Sequence, residues 1–325
     1  MYRIICVFIC AIYVLFDLSG QIVNQNPCNI NLADAQGVLT SQTINLLNKT
    51  AECLALHTPK NWSIENANSF AQEYLLRQAK ERWNVNARDN LLSSHSKDLL
   101  PLFEALFMTQ AIHLEGQSKI VIVHGATIQC MQARWFSLKE LLDNHKLKPD
   151  LLFFLTGDRD LSNISISKEE KESLAKLIAE AKRRSEFIQP IQNEADAALL
   201  ITKLNPFRAS NRVLLIRAPK NKDGGRPTTK DTLKCWLQSK EMFNFLKGVS
   251  DDTHVSILAI SNNPYILQQH ENLREVLSTT ARKWKIQTIG MSMNVQKEQD
   301  RQILLLCDSF ARALHSLYAG MQPQL

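Results

Sequence analysis

The chain has 325 residues, 45% of them apolar and 22% charged, with a formal net charge of +6. That balance is ordinary for a globular protein, argues against disorder, and supplies enough chain for one large or two modest domains. The lysines and arginines are scattered rather than striped, with no aromatic and basic platform among them, so nucleic acid is not an expected partner.

Taken in order, the chain opens with Arg3 and an uncharged run from Ile4 to Phe16, followed by Asp17-Leu18-Ser19-Gly20. A basic head, an apolar middle and small residues make the pattern of a secretory signal peptide. The run is shorter than the roughly 20 residues of a membrane-spanning helix. Residues 1–20 are therefore read as a signal peptide or membrane anchor. The chain would then be secreted or periplasmic, or held at the inner membrane by this segment. Leu18 disfavours cleavage after Gly20, which keeps the anchor open. The alternative is a cytosolic protein whose N-terminus is buried.

Cys28 and Cys53 are free to pair in an oxidising compartment. Cys130, Cys235 and Cys307 fall in predicted helices, where a lone cysteine usually behaves as a small buried hydrophobe. No pair has the close spacing of a zinc site, and no metal is expected.

Residues 21–117 read as a helical cap. Helical spacing runs over Asp34–His57 and again from Ser63, a plausible N-cap, to Trp83. Asn84–Ser96 reads as a polar connector, and a third helix spans Asp98–His113 with Pro101 in its first turn. From residue 118 to 325 the pattern alternates. Predicted strands at Ile120–Val123, Leu151–Leu155, Val213–Ile216, Val255–Ile260 and Ile286–Ile289 are separated by helices at Cys130–Asn144, Ser167–Arg184, Asn193–Lys203, Thr229–Leu246 and up to Thr279. A last helix covers Val295–Tyr318. Short buried strands joined by helical crossovers imply an α/β fold, a Rossmann-like and mostly parallel sheet of about five strands. The dinucleotide fingerprint, the Walker loop and the Gly-x-Ser-x-Gly elbow are absent.

In such sheets ligands bind at the carboxyl ends of the strands, which directs attention to the polar residues there. His124 serves as a general base or phosphate contact, or is a satisfied strand-end histidine. Gly125 and Gly157 admit a ligand to the backbone, or only make the turn. Arg134 takes an anionic group bidentately, or pairs with Asp158 or Glu194. Those two acids suit a metal or general base, or cap helices. Thr229 and Asp231, with Thr228, mark a helix start that either binds an anion or is simply capped. Lys220, Lys222 and Arg226 read as a solvated loop that could fold over an anion. Asn262 and Asn263 read a ligand's polar edge, or suit the turn before Pro264. The charges of Glu169, Glu170 and Glu172 read as a solvated face that matches the helix dipole. Sequons at Asn48, Asn61 and Asn163 matter only in a eukaryotic secretory pathway.

Five of these strand-end elements, in order, resemble the YdcF-like family, the SanA and ElyC group of bacterial envelope-associated proteins. They are Val123-His124-Gly125 with Arg134, Leu155-Thr156-Gly157-Asp158, Glu194-Ala195, Thr228–Thr232, and Ile260–Tyr265. The likeness spans Lys119–Leu314 and is that of a divergent member. Asp158 replaces a second glycine, Asp231-Thr232 stands for Glu-Asn, and the family's last His and Arg are missing. The resemblance implies a Rossmann-like fold, membrane or periplasmic association and a part in envelope integrity. It also implies a nucleotide-like ligand such as S-adenosylmethionine, with no methyl transfer established.

Three functions remain open at this point. The first is an exported or membrane-anchored protein that binds a small anionic or nucleotide-like molecule at the strand ends, with or without hydrolase or transferase chemistry. The second is a non-enzymatic envelope scaffold with a decayed site. The third is a cytosolic nucleotide-binding enzyme.

Overall fold

A computed structural model of the chain describes residues 31–34, 36–76, 87–161, 166–186, 190–207, 212–250, 253–293 and 299–322. The segment read as a leader, Cys28 and the Asn163 sequon lie outside the described residues.

Among the described residues, four helices precede the sheet: α1 (Ser41–Cys53), α2 (Ile64–Tyr74), α3 (Ala87–Ser94) and α4 (Ser96–Ala105). The first begins later than expected. Thr40 caps it by accepting from Thr43 N–H at 3.3 Å, and the preceding chain forms a small bridge between Ala33 and Leu39. Ser63 caps α2 as its sequence position suggests: its hydroxyl accepts from Asn66 N–H while Asn66 Oδ1 accepts from Ser63 N–H. That reciprocal pair satisfies two donors that a helix start leaves open. The expected polar connector at Asn84–Ser96 instead contains α3. Leu92 there is fully buried, and tertiary packing rather than intrinsic propensity holds a helix this short.

Strands β1 (Ile120–His124), β2 (Leu151–Gly157), β3 (Val213–Ala218), β4 (Val255–Asn262) and β5 (Trp284–Met291) form one parallel sheet in the order β3-β2-β1-β4-β5. The fold is α/β and Rossmann-like, and the strand order reverses between β1 and β4. Helices α5 (Ile128–Asp143), α6 (Lys168–Arg183), α7 (Glu194–Leu204), α8 (Thr229–Leu237), α9 (Lys240–Lys247), α10 (Ile266–Ser278) and α11 (Gln299–Met321) complete the chain. The single helix expected over Thr229–Leu246 is two, because Ser239 caps a new one by accepting from Met242 N–H at 3.3 Å.

The two sheet faces carry different partners. Ile120, Ile122, Phe153, Leu155, Ile257 and Ala259 face α8, α9 and α10. Val121, Val123, Leu152, Phe154, Leu258 and Ile260 belong to a larger core with α5, α7, α11 and the N-terminal helices. The helical cap thus shares its core with the sheet, and α2, α3 and α4 pack on α11. Phe103 and Phe310 meet edge to face there, 6.4 Å between centroids. No helix among the described residues is long and apolar enough to cross a membrane. Truncating the fully buried Phe310 to alanine removes this contact, and equilibrium denaturation is expected to show a loss of about 3–5 kcal/mol.

Candidate functional site

The turn between β1 and α5 is three residues long, Gly125 to Thr127, and Thr127 caps α5 by accepting from Cys130 N–H. So short a turn brings the second turn of α5 back over the end of β1. Arg134 lies on it and is 99% buried, at 1% exposure. Its Nη1 donates to the carbonyls of His124 at 2.7 Å and Gly125 at 2.9 Å, and its Nε donates to Asn262 Oδ1 at 2.8 Å. One guanidinium therefore ties the end of β1 to the end of β4, across the point where strand order reverses. Asn262 is held in turn, its Nδ2 donating to the Asn263 carbonyl. Among the described residues no carboxylate forms an ion pair with Arg134, neither Asp158, which takes Arg217, nor Glu194, which takes Arg159, and its Nη2 makes none of these bonds. Burial pushes its pKa down, opposed by the charges of Cys130, Glu194 and Tyr265 in that order.

A second cluster lies at the end of β2. Arg159 donates from Nη1 and Nη2 to both oxygens of Glu170, at 2.8 and 2.5 Å, and from Nε to Glu194 Oε2 at 3.0 Å. It also donates to the Ala126 carbonyl. Burial works against the Arg159 charge, yet the hydrogen bonds and charges of Glu170 and Glu194 outweigh it and its pKa rises. Glu170 also accepts from Ile128 N–H at the start of α5. Glu194 accepts from Gly157 N–H at 3.4 Å, and Arg226 approaches its Oε2 at 3.5 Å. Glu170 is thus not part of a solvated face: it is buried and paired. Arg159 is not among the residues read from the sequence, although it follows the Gly157-Asp158 strand end directly.

The two glycines are explained by what fills the space beside them. A Cβ on Gly125 would sit 2.0 Å from Glu194 Oε1, and one on Gly157 2.7 Å from Pro227. Each strand end is therefore closed by the chain's own groups. The other predicted residues also have partners. Asp158 accepts from Arg217 at 2.7 Å. Asp231 accepts from Thr228 N–H and hydroxyl, making Thr228 the N-cap, with Thr229 the first residue of α8. Asn263 Nδ2 donates to the Phe107 carbonyl at 3.1 Å and to that of Gln110, fastening the N-terminal helices to the end of β4. The ten residues thus gather at the strand ends, but Asp158, Thr229, Asp231 and Asn263 serve pairs and caps around the crevice rather than Arg134 itself.

His124 differs from all of these. It is buried, and neither ring nitrogen has a hydrogen-bond partner among the described residues. Burial, then the Arg134 charge, lowers its pKa to about 3, so the ring is neutral near pH 7. Among the described residues no group of three or more His, Cys, Asp or Glu is arranged to hold a metal. A separate groove of about 270 Å³ lies at the amino end of β5, lined by Glu271, Arg274, Arg282 and Trp284 among others. None of the ten residues lines it, and the buried charge at the strand ends is the stronger marker of a site. The chain matches no family model and no curated protein.

Two outcomes follow from this geometry. Gly125→Ala is expected to displace Glu194 and to destabilise the protein by about 1–3 kcal/mol in denaturant titrations. His124 and His270 both fall from 6.5 to about 3 on folding. The unfolded chain therefore binds up to two more protons than the native one between those values, and stability drops as pH falls from 6.5 towards 3. Glu271, raised by burial from 4.5 to about 7, acts in the opposite sense between those two values. Denaturation measured across pH 3–7 should show the acid slope, reduced by about one proton in His124→Asn.

Proposed function

We propose that this protein binds a small anionic or nucleotide-like ligand in the crevice between the carboxyl ends of β1 and β4. One observation carries this: Arg134 is a buried cation that no carboxylate among the described residues pairs with. A buried charge left without a counter-charge is costly. Carbonyl and amide dipoles offset part of that, and an arriving anion supplies the rest. Arg159 one strand away shows the contrast, since it holds two carboxylates. Asn262 and Tyr265 stand at the same end of β4. The ligand's charge meets Arg134, and the neutral His124 ring lines the floor.

The resemblance to YdcF-like proteins supports placing this chain at the cell envelope, exported or anchored through residues 1–20, with a part in envelope integrity. It also supports S-adenosylmethionine as one nucleotide-like candidate. A second reading has an observation of its own. Glu194 and Pro227 occupy the space beside Gly125 and Gly157, as expected of an envelope scaffold whose ancestral site has closed.

Thermal shifts of the full chain separate the two. Orthophosphate, nucleotides or S-adenosylmethionine at a hundredfold excess over Kd stabilise a binding protein by about 2.7 kcal/mol. The shift should vanish in Arg134→Met, which keeps the length and loses the charge, and persist in part in Arg134→Lys. An equal shift in Arg134→Met would sink the anion site, and no shift with any ligand favours the scaffold.

A further inference from the structure

We propose that the groove at the amino end of β5 is a second binding site, one that takes a zwitterionic α-amino acid with an apolar side chain: Glu271 receives the ammonium, Arg274 the carboxylate, and a wall of Leu277, Trp284 and Leu317 the side chain. The inference does not rest on the anion site, which lies at the opposite ends of the strands.

Three elements build the groove. On α10, Glu271, Arg274, Glu275 and Ser278 follow at helical spacing and line one side. The end of α11 packs beside α10 and adds Ser316, Leu317 and Met321. The start of β5 closes the third side with alternate residues, Trp284 and Ile286. The Trp284 indole is fixed in place, its Nε1 donating to Thr280 Oγ1 at 2.8 Å. The volume of about 270 Å³ lies just below the ~300–1,000 Å³ of drug-sized ligand pockets, so the occupant is small.

Glu271 is what marks this groove as a site. Its side chain is only 1% exposed, yet it belongs to the lining. Among the described residues it is bonded by Arg274, 37% exposed, whose Nη1 alone donates to both carboxylate oxygens at 3.2 Å. A guanidinium can offer a carboxylate two nitrogens, and Arg159 does so to Glu170 at 2.8 and 2.5 Å. The Glu271 charge is therefore incompletely compensated. Burial pushes its carboxyl up to about 7, and the charge and hydrogen bonds of Arg274 pull it only part of the way back. A buried carboxylate in that state gains from a further cationic donor. The next turn of α10 shows which donor fits the rim, since Glu275 holds the ammonium of Lys230 at 2.5 Å. A plain amine would take Glu271 from Arg274 and give Arg274 nothing in return. A zwitterion supplies both charges, set as close together as those of the Glu271 and Arg274 pair. Arg282, the other cation of the lining, donates to the carbonyls of Leu246, Val249 and Ser250 and is held at the end of α9.

The test is calorimetric titration of the full chain with L-leucine and three analogues, each lacking one feature. N-acetyl-L-leucine has no ammonium, L-leucinamide has no carboxylate, and glycine has no apolar side chain. L-leucine is expected to bind. Each analogue should bind about tenfold or more weakly, the scale of one hydrogen bond to a charged group or one buried apolar side chain. Glu271→Gln keeps the shape without the charge, and there leucine should weaken to the level of N-acetyl-L-leucine. In Arg274→Met it should weaken to the level of L-leucinamide. The analogue series uses the unaltered chain, so it decides the question even where a variant fails to fold. Failure of both L-leucine and L-phenylalanine to bind at about 10 mM, a hundredfold excess over a Kd of ~0.1 mM, would overturn the proposal. So would analogues that bind as tightly as leucine, or leucine that binds both variants undiminished. Tighter binding of L-leucinamide than of L-leucine would make the groove a simple amine site and sink the zwitterion. A thermal shift with phosphate that needs Arg134, together with no response to either amino acid, leaves the anion site standing and removes this one.

Discussion

A single guanidinium bridges the sheet at the switch in strand order. At the switch in strand order the helices after β1 and β4 depart to opposite faces, and the crevice between the two strand ends has no backbone pairing beyond β1. Arg134 spans it with three hydrogen bonds to oxygens of His124, Gly125 and Asn262. A lysine could not replace this, since a compact ammonium lacks the planar fork that reaches two strands at once. The arrangement places a positive charge in a buried position, hydrogen-bonded to neutral oxygens. The same residue is therefore a brace for the fold and the reason to look for an anion.

The neighbouring cluster shows what a compensated charge looks like in the same setting. Arg159, Glu170 and Glu194 join the loop after β2, the start of α6 and the start of α7. Glu170 further meets the first turn of α5 through Ile128 N–H. Buried pairs of this kind gain their net value from good geometry and satisfied lone pairs. The two-pronged contact between Arg159 and Glu170 provides both. Gly125 belongs to this cluster as well, because the Glu194 carboxylate occupies the space a side chain would need. The end of β1 is thus held from one side by a lone cation and from the other by a balanced ion network.

The N-terminal helices are bound into this region rather than set apart from it. Asn263 bonds carbonyls of residues 107 and 110, and Ile112 bridges Gly290 at the end of β5. Their apolar faces join α11 and the larger core. Asn263, which makes this link, sits one residue beyond the Arg134 partner Asn262.

The alternation of short apolar runs with helical spacing determined the α/β class and the parallel sheet, because side-chain periodicity and the need for crossovers act locally along the chain. It also located the carboxyl strand ends, and so His124, Gly125, Arg134 and Asn262, since a polar residue after a buried strand is visible in one dimension. Local capping chemistry was legible for Ser63 but not for Ser239, where a helix-compatible pattern ran through a position that instead starts a new helix. Partner choice was not legible at all. That Glu170 turns inward to Arg159, that Asp158 takes Arg217, and that Arg134 meets the carbonyls of His124 and Gly125 instead of Asp158 or Glu194 are decided by which strand ends and helix starts meet in space. Charges see one another by distance, and distance across the sheet is set only when the strands take the order β3-β2-β1-β4-β5.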